Sequence, residues 1–380
     1  MSSLLSPSFF AHFESIEDPR VERTRKYPLL EIMFIAVCAL LCGANDFVGM
    51  EKFGKAKKAW LQKYLELANG IPAHDTFGRV FQALKPQEFA QCFRSWIAHV
   101  QESLAGKHVA IDGKTARASL DSALDKNPLH LVSAWATEQG LVLGQVAVDE
   151  KSNEITAIPK LLQMLDLSGA IVTIDAMGCQ KEIVKEIRAQ EADYVLTVKG
   201  NQEHLEEDII EHFSKVDEQL EAGQKCVSPD VYEKKDKGHG REEYRRCDVL
   251  PVPPTLRNRD KWQDLQSIGR VLRGYTEKGE EKVEMRYFIS NLPPKAKKMA
   301  QVVRSHWGIE NGLHWVLDMT FAEDRSRARL GNAQENMGLL RRWALSMLRQ
   351  NETITGSVEK KRLQAGWNEK LLEKLLGFVL

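Results

Sequence analysis

The stretch His108-Val-Ala-Ile-Asp-Gly-Lys114 decides how the rest of this chain is interpreted. A continuous apolar, β-branched run is typical of a strand buried on both faces, so residues 109–111 predict the middle of a sheet. Asp112 would follow where the strand leaves the core, with Gly113 letting the backbone turn and Lys114 adding a positive charge. The sequence therefore predicts a carboxylate at the carboxyl end of a central strand.

A second stretch, Ala170-Ile-Val-Thr-Ile-Asp-Ala-Met-Gly178, repeats this design and ends on Asp175. Open α/β sheets bind ligands at the edge formed by the carboxyl ends of their strands. Either aspartate alone could simply begin a turn or cap a helix. Because the pattern occurs twice, we expect both carboxylates at one functional edge.

Composition excludes several classes of protein. The 380 residues predict two or three domains, and the formal net charge of zero gives no global attraction to a polyanion, although basic clusters occur locally. The cysteines form no C-x-x-C pair, which favours a reducing, cytoplasmic location and argues against a structural zinc. They are Cys38, Cys42, Cys92, Cys179, Cys226 and Cys247.

The amino-terminal part is predicted to be helical and not membrane-bound. No signal peptide is visible, and the most hydrophobic window, residues 29–41, is shorter than the roughly 20 residues that span a bilayer. It predicts a buried helix that begins after Pro28. Residues 53–67 carry lysines interleaved with Trp60, which indicates either a solvated helix face or a DNA-backbone patch.

The alternation of patterns divides the chain into four parts. Residues 1–105 predict a helical domain, and residues 106–219 a first core segment with three successive strands followed by alternating helices and strands. Two of those strands, 129–136 and 141–148, form a predicted hairpin. Residues 220–292 predict a β-rich insertion with a charged loop at 234–241, and residues 293–380 a helical segment. The predicted fold is a mixed α/β sheet with helices on its faces.

A third stretch lies in a long helix predicted from Lys295 towards Asp318. In it, Glu310, His314 and Asp318 are spaced four residues apart and share one face. Gly308 and Gly312 each cost about 1 kcal/mol in a helix interior relative to alanine. They predict a close backbone approach to another element.

Three carboxylates on two strand ends and one helix suit a Mg²⁺ or Mn²⁺ site, because hard divalent cations take oxygen ligands. Two such ions about 4 Å apart activate an attacking hydroxyl and stabilise the leaving oxygen in phosphoryl transfer. A zinc site built from His306, His314 and Glu310 lacks the H-E-x-x-H and H-x-x-E-H patterns. The chain also contains no phosphate-binding G-x-x-x-x-G-K-[ST] loop and no G-x-S-x-G elbow.

Five stretches together resemble a known family nearly end to end. They are Ala110-Ile-Asp-Gly-Lys114, Thr173-Ile-Asp-Ala-Met-Gly178, Val198-Lys-Gly-Asn-Gln202, His239-Gly-Arg241 and His306-Trp-Gly-Ile-Glu-Asn-Gly-Leu-His-Trp315. The chain resembles the bacterial H-repeat-associated proteins, insertion-sequence transposases of the DDE type. The resemblance implies a ribonuclease-H-like core with a β-rich insertion between the second Asp and the Glu, and an associated helical amino-terminal domain.

The resemblance places Asp112, Asp175 and Glu310 on the family's catalytic, metal-binding positions, with two Mg²⁺ or Mn²⁺ ions as cofactors. Related transposases often carry Tyr, Arg and Lys around the catalytic Glu. Those positions are occupied here by Val303, His306 and Leu317, and Arg304 could replace the Arg. This departure leaves Asp318 as an alternative third ligand.

Cationic and polar residues near the inferred site are candidates for DNA contact. Trp307 and Trp315 could stack on a displaced base, although core packing is the favoured interpretation of both. The predicted DNA-binding residues are Lys114, Lys199, Asn201, Arg241, Arg304, His314, Arg325 and Arg327.

The sequence thus predicts a metal-dependent DNA transposase that cuts at insertion-sequence ends and joins the 3′-hydroxyl ends to target DNA. Its partners would be double-stranded DNA with terminal repeats, target DNA and a second copy of the chain on DNA. Two alternatives stay open at this point. One is a metal-dependent nuclease without strand transfer, and the other is a catalytically decayed DNA-binding remnant of a mobile element.

Overall fold

The computed structural model describes residues 10–13, 15–117, 128–149, 153–238, 241–277 and 280–377. Nine of its strands form a single mixed sheet. The strands are β1 His108–Thr115, β2 His130–Ala136, β3 Leu141–Ala147, β4 Ile171–Ile174, β5 Asp193–Val198, β6 Asp230–Gly238, β7 Arg241–Pro251, β8 Ser267–Glu277 and β9 Glu280–Ser290.

Helices precede, cover and follow this sheet. They are α1 Leu29–Leu41, α2 Phe47–Ala56, α3 Lys58–Leu61, α4 His74–Ala83, α5 Pro86–Val100, α6 Glu154–Leu162, α7 Lys181–Ala189, α8 Glu203–Glu221, α9 Ala296–His306, α10 Trp315–Met319, α11 Ala333–Gln350, α12 Val358–Trp367 and α13 Glu369–Leu375.

The first five strands have the order β3-β2-β1-β4-β5. The β1–β2–β3 pairs are antiparallel, whereas β1–β4 and β4–β5 are parallel. The hairpin predicted for residues 129–148 is confirmed as β2 and β3. This mixed sheet with flanking helices confirms the predicted ribonuclease-H-like fold.

The strands that follow extend the same sheet. Strand β9 pairs antiparallel with β5, and β8, β7 and β6 follow as a meander. The prediction of a charged loop at residues 234–241 was wrong for residues 234–238, which belong to β6, and for Arg241, which begins β7. Residues 239–240 lie outside the described part of the chain. An exposed ribbon has few apolar residues at alternate positions, so its sequence looks like a loop although its backbone pairs along its whole length.

The amino-terminal helices share one hydrophobic core with the carboxyl-terminal helices and the sheet. Helix α1 is buried at 12 of its 13 residues, which confirms the predicted buried helix. The ring of Phe13 stacks on that of Trp343 in α11, with centroids 4.9 Å apart. No helix among the described residues is long and apolar enough to cross a membrane.

Helix α9 packs against the other face of the sheet through a second, smaller core. Met299 and Val302 of α9 contact the cluster that contains Ile171 of β4 and Val195 of β5. Near the beginning of the helix, Lys298 Nζ lies 3.5 Å from the carbonyl oxygen of Gly106, which precedes β1. The helix therefore runs in the same direction as β1 and β4 and delivers its last residues to the carboxyl edge.

Gly269 of β8 offers a direct test of the sheet packing. A Cβ at this position would lie 2.1 Å from Cζ of the buried ring of Phe288. We expect Gly269→Ala to lower the free energy of unfolding by about 1–3 kcal/mol, because a buried aromatic ring must shift to accommodate the new methyl group.

The matched control is Gly274→Ala in the same strand, where the nearest atom to a new Cβ is 4.0 Å away. It should change the free energy of unfolding by less than about 0.5 kcal/mol. Urea denaturation of both variants measures the difference, and equal effects would contradict the packing described for β8 and β9.

Candidate active site

The parallel pairing of β1 with β4 brings two aspartates to one edge. Its last pair is Ile111 opposite Ile174, so Asp112 and Asp175 follow side by side. The Asp112 carboxylate accepts a hydrogen bond from the Gly113 amide at 2.9 Å, and Asp175 accepts one from the Met177 amide at 3.0 Å. Both side chains are therefore held at the carboxyl edge by their own backbone.

Strand β1 does not end at Asp112, as the sequence had indicated. It continues to Thr115, because β2 keeps pairing with it after β4 has ended. Gly113 is needed for a close approach and not for a turn. A Cβ there would lie 2.1 Å from Glu154 Oε1 and 2.3 Å from His130 Nε2.

Glu310, in the segment that follows α9, reaches the same edge of the sheet. It lines a cleft of about 130 Å³ together with Asp112 and Asp175. The cleft is also lined by Lys199, Arg286, His306 and Trp307. The structure thus brings the three predicted acidic residues into one cleft that is also lined by positively charged side chains.

The predicted continuous helix from Lys295 to Asp318 is interrupted. Helix α9 ends at His306, residues Glu310–His314 form a π-helical turn, and α10 follows. A Cβ at Gly312 would lie 3.1 Å from the ring of Trp135 in β2, which confirms the predicted close backbone approach. Single π-helical turns inside helices are frequent at functional sites.

Burial and mutual repulsion raise the pKa values of both aspartates. The pKa of Asp112 is raised to about 7, first by burial and then by the charges of Glu154, Asp175 and Glu310. The hydrogen bond from Gly113 lowers this pKa but does not offset the increase. Burial and the charge of Glu154 raise the pKa of Asp175. The cleft therefore concentrates negative charge that a bound cation would stabilise.

The donor set fits a hard divalent cation, since all of its ligand atoms are carboxylate oxygens. In the described part of the chain, no three His, Cys, Asp or Glu side chains are already grouped as a metal cage. The site is an open arrangement in which the carboxylates line a cleft without closing around one point.

Comparison with known proteins decides the family. The family model for the Transposase DDE domain matches residues 104–347, and that for the DDE_Tnp_1-associated region matches residues 10–97. This chain belongs to the DDE transposases.

Two relatives support this assignment over almost the whole chain. The candidate transposase YncI of Escherichia coli O157:H7 is 39% identical, covering 97% of this chain and 94% of YncI. The H repeat-associated candidate transposase YhhI of Escherichia coli strain K12 is 36% identical, covering 96% and 97%. A cryo-EM structure of a piggyBac transposase synaptic complex with hairpin DNA is 10% identical, with a TM-score of 0.43, covering 94% of this chain and 75% of that one.

Glu154 is a further acidic residue of the site, and no sequence pattern predicted it. It begins α6, and its Oε1 lies 2.5 Å from His130 Nε2, whose ring also contacts Thr115 Oγ1 through Nδ1 at 2.7 Å. Its charge is the first of the carboxylate charges that raise the pKa of Asp112 and of Asp175. An acid in the first turn of a helix is ordinary in sequence, so nothing local distinguishes it.

Lys114 and Asp318 pair with each other behind the cleft. The Lys114 side chain is 8% exposed, and its Nζ lies 2.7 Å from Asp318, 3.0 Å from Asp324 and 3.6 Å from Glu323. This placement favours a structural counter-ion over the predicted phosphate contact. It also leaves Glu310, and not Asp318, beside Asp112 and Asp175.

His314 and Asn201 lie where they can hold the acidic residues in place. His314 Nδ1 is 3.7 Å from Asp112 Oδ2, and burial, together with the charges of Arg342 and Lys114, lowers its pKa to about 3. Asn201 donates its amide to the carbonyl oxygen of Ala176, in the turn after Asp175, at 2.7 Å. Both contacts act on residues that line the cleft.

The remaining predicted DNA contacts differ in exposure. Lys199 is exposed and lines the cleft, and Arg325 and Arg327 are exposed. Arg304 is half-exposed and donates to Asp236 at 2.7 Å. The side chain of Arg241 lies outside the described residues.

The favoured interpretation of Trp307 and Trp315 as core residues was wrong. They are 41% and 59% exposed. Ile309 and Leu313 lie on the buried face of this segment, and each tryptophan is two residues from one of them, on the opposite side of the helix. The Arg286 guanidinium lies 4.5 Å from the ring centroid of Trp307, which places a cation and an aromatic surface together at the cleft.

Glu323 allows a test of the ion cluster behind the cleft. It is buried, and it accepts a hydrogen bond from Arg342 at 2.8 Å. Burial raises its pKa, but the charges of Arg342, Arg341 and Lys114 more than reverse this, and the net pKa is lowered. We expect Glu323→Gln to cost about 3–5 kcal/mol of stability at neutral pH, because a buried guanidinium loses its counter-ion.

A lowered pKa means that this stabilisation is present above the ordinary glutamate pKa and disappears as the pH falls through the folded-state value. Chemical denaturation at pH 7 and at successively lower pH should therefore show a shrinking difference from wild type. Glu218→Gln, at an exposed position on α8, is the control and should change stability by less than about 0.5 kcal/mol. A pH-independent difference would contradict the assigned role.

Proposed function

We propose that this chain cuts DNA at the ends of its insertion sequence and joins the freed 3′-hydroxyl ends to target DNA by metal-dependent phosphoryl transfer. The observation that carries the proposal is the presence of Asp112, Asp175 and Glu310 in one cleft, on β1, β4 and the π-helical turn. Membership of the DDE transposases supports it.

Asp112, Asp175 and Glu310 would hold two Mg²⁺ or Mn²⁺ ions. Bound ions would supply charge stabilisation to the phosphorane-like transition state and lower the pKa of the attacking hydroxyl. The three carboxylates would hold and orient the ions. His314, neutral because of its lowered pKa, lies beside Asp112.

The positive side chains of the cleft would hold the DNA backbone. Lys199 and Arg286 line the cleft, and each can donate hydrogen bonds to a phosphate. The exposed ring of Trp307, next to Arg286, offers a surface on which an unpaired base can stack. Arg241 of β7 and Arg304 of α9 would add DNA contacts outside the cleft, and two protomers would pair the two ends of the element.

The first test is cleavage of a plasmid that carries the flanking DNA of the gene, with Mg²⁺ or Mn²⁺ present. Asp112→Asn and Glu310→Gln should reduce nicking at the element ends by about 10²–10³-fold or more, because each removes a ligand of the metal ions that would stabilise the charge on the reacting phosphate. Strand transfer is scored separately, as joining of the labelled 3′ ends to a second plasmid.

Asp318→Asn is the matched control, since its carboxylate pairs with Lys114 and does not line the cleft. It should retain most of the cleavage. Loss in Asp318→Asn with retention in Glu310→Gln would reverse the assignment of the third ligand. Nicking without joining would indicate a nuclease, and DNA binding without metal-dependent nicking would indicate a decayed remnant.

Arg325 and Arg327, two exposed arginines that follow Glu310 in the sequence, provide a test of DNA binding. Arg325→Ala combined with Arg327→Ala should weaken binding to a duplex of the element end by about tenfold. It should also reduce the slope of log K against log salt by about 2, because two phosphate contacts are lost. Fluorescence anisotropy at several salt concentrations measures both quantities.

Arg257→Ala is the control for this pair. Arg257 is also a surface arginine, but its charge is neutralised by Glu207 and Asp208 at 2.9 and 2.7 Å. Its replacement should leave the salt slope unchanged. An unchanged slope in the double variant would remove Arg325 and Arg327 from the DNA interface.

A further inference from the structure

A chain of four polar side chains runs from the hairpin after β2 to the cleft, whose lining includes Thr173 and His306. Thr137 Oγ1 lies 2.9 Å from His108 Nδ1, and His108 Nε2 lies 2.7 Å from Thr173 Oγ1. Thr173 Oγ1 in turn lies 2.9 Å from His306 Nδ1. The chain connects the hairpin after β2 with β1, β4 and the end of α9.

The middle of this chain is removed from water. His108 and Thr173 are each 2% exposed. Burial lowers the pKa of His108 to about 3 and that of His306 to about 4, so both rings are neutral at pH 7. A neutral imidazole has one donor and one acceptor, and a hydroxyl can be both, so the four groups satisfy one another when they are aligned.

Apolar packing alone does not fix how far α9 lies along the sheet. The contacts of Met299 and Val302 with Ile171 and Val195 are non-directional, and a slip of one helical turn would move Glu310 by about 5.4 Å. The His306–Thr173 hydrogen bond is directional. A slip would leave buried polar atoms unpaired, at a cost of about 1–3 kcal/mol for each.

The register that this bond selects places the acidic residues level with one another. From His306 to Glu310 the chain keeps near-helical backbone geometry through the turn at Trp307, and four residues advance about 6 Å at 1.5 Å per residue. From Thr173 to Asp175 the strand direction advances two residues, or about 6.6 Å at 3.3 Å per residue. Because helix and strand run the same way, Glu310 arrives at the edge where Asp112 and Asp175 lie.

We propose that His306 and Thr173 are positioning residues, whose hydrogen bond sets the register of α9 on β4 and thereby places Glu310 opposite Asp112 and Asp175. His108 and Thr137 hold the Thr173 hydroxyl in the orientation that His306 requires. The inference rests on the proposed function in one respect, namely that Glu310 is a metal ligand.

The test measures Mn²⁺ affinity of the full chain without DNA, by the EPR signal of free Mn²⁺. His306→Ala and Thr173→Val should weaken Mn²⁺ binding by about 10-fold to 100-fold, the range found for groups that orient metal ligands. The Val side chain has nearly the shape of Thr and removes only the hydroxyl.

Two conservative variants should restore binding to within about threefold of wild type. His306→Asn keeps a polar atom near the position of Nδ1, and Thr173→Ser keeps the hydroxyl. Val302→Ala, a packing change on the same helix, is the control. It should lower the melting temperature and leave Mn²⁺ affinity unchanged, which separates register from general loss of stability.

The outcomes distinguish this inference from the proposed function. Wild-type affinity in His306→Ala and Thr173→Val, or equal loss in Ala and Asn at position 306, would overturn the positioning role alone. Mn²⁺ binding to wild type that Asp112→Asn does not weaken would overturn the metal site itself, and the positioning role with it.

Discussion

The parallel pairing of β1 with β4 is the constraint on which the rest of the molecule depends. It places Asp112 and Asp175 side by side where Ile111 and Ile174 end their pairing. Like charges in a partly buried edge repel, and the pKa of Asp112 rises to about 7 as a result of burial and of its acidic neighbours. The surrounding elements support this unfavourable arrangement, which is the expected cost of a site prepared for cations.

A cluster of buried charges supports the two aspartates from the side of the sheet where the amino-terminal and carboxyl-terminal helices meet. Arg342 of α11 is fully buried and bonds both Glu323 and Ser133 of β2, at 2.8 and 3.1 Å. Lys114, two residues after Asp112, joins the same cluster. Because unpairing any of these charges is costly, α11, β2 and the strand that carries Asp112 are held together.

The strands between Asp175 and Glu310 have a second consequence. They add β9, β8, β7 and β6 to the β5 edge and so continue the sheet beyond the cleft. Arg286 of β9 lies at the cleft beside Trp307. The extension therefore contributes a side chain to the site, in addition to separating the second and third acidic residues along the chain.

The sequence alone determined the elements with a strong local pattern. The apolar runs before Asp112 and Asp175, the hairpin of β2 and β3, and the buried helix α1 follow from residue type and spacing, because burial selects continuous apolar segments. The resemblance of short motifs indicated the family. The close approach at Gly312 was also predictable, since a helical glycine carries a cost that packing must offset.

Only the tertiary structure decided what depends on neighbours distant in sequence. Strand β1 continues past Asp112 because β2 pairs with it, and the ribbon residues at 234–238 are a strand because β7 lies beside them. Lys114 is a buried counter-ion, Glu154 stands next to both aspartates, and His306 bonds Thr173, 133 positions earlier in the chain. Each of these follows from which charged or polar group is nearest in space, and local sequence does not carry that information.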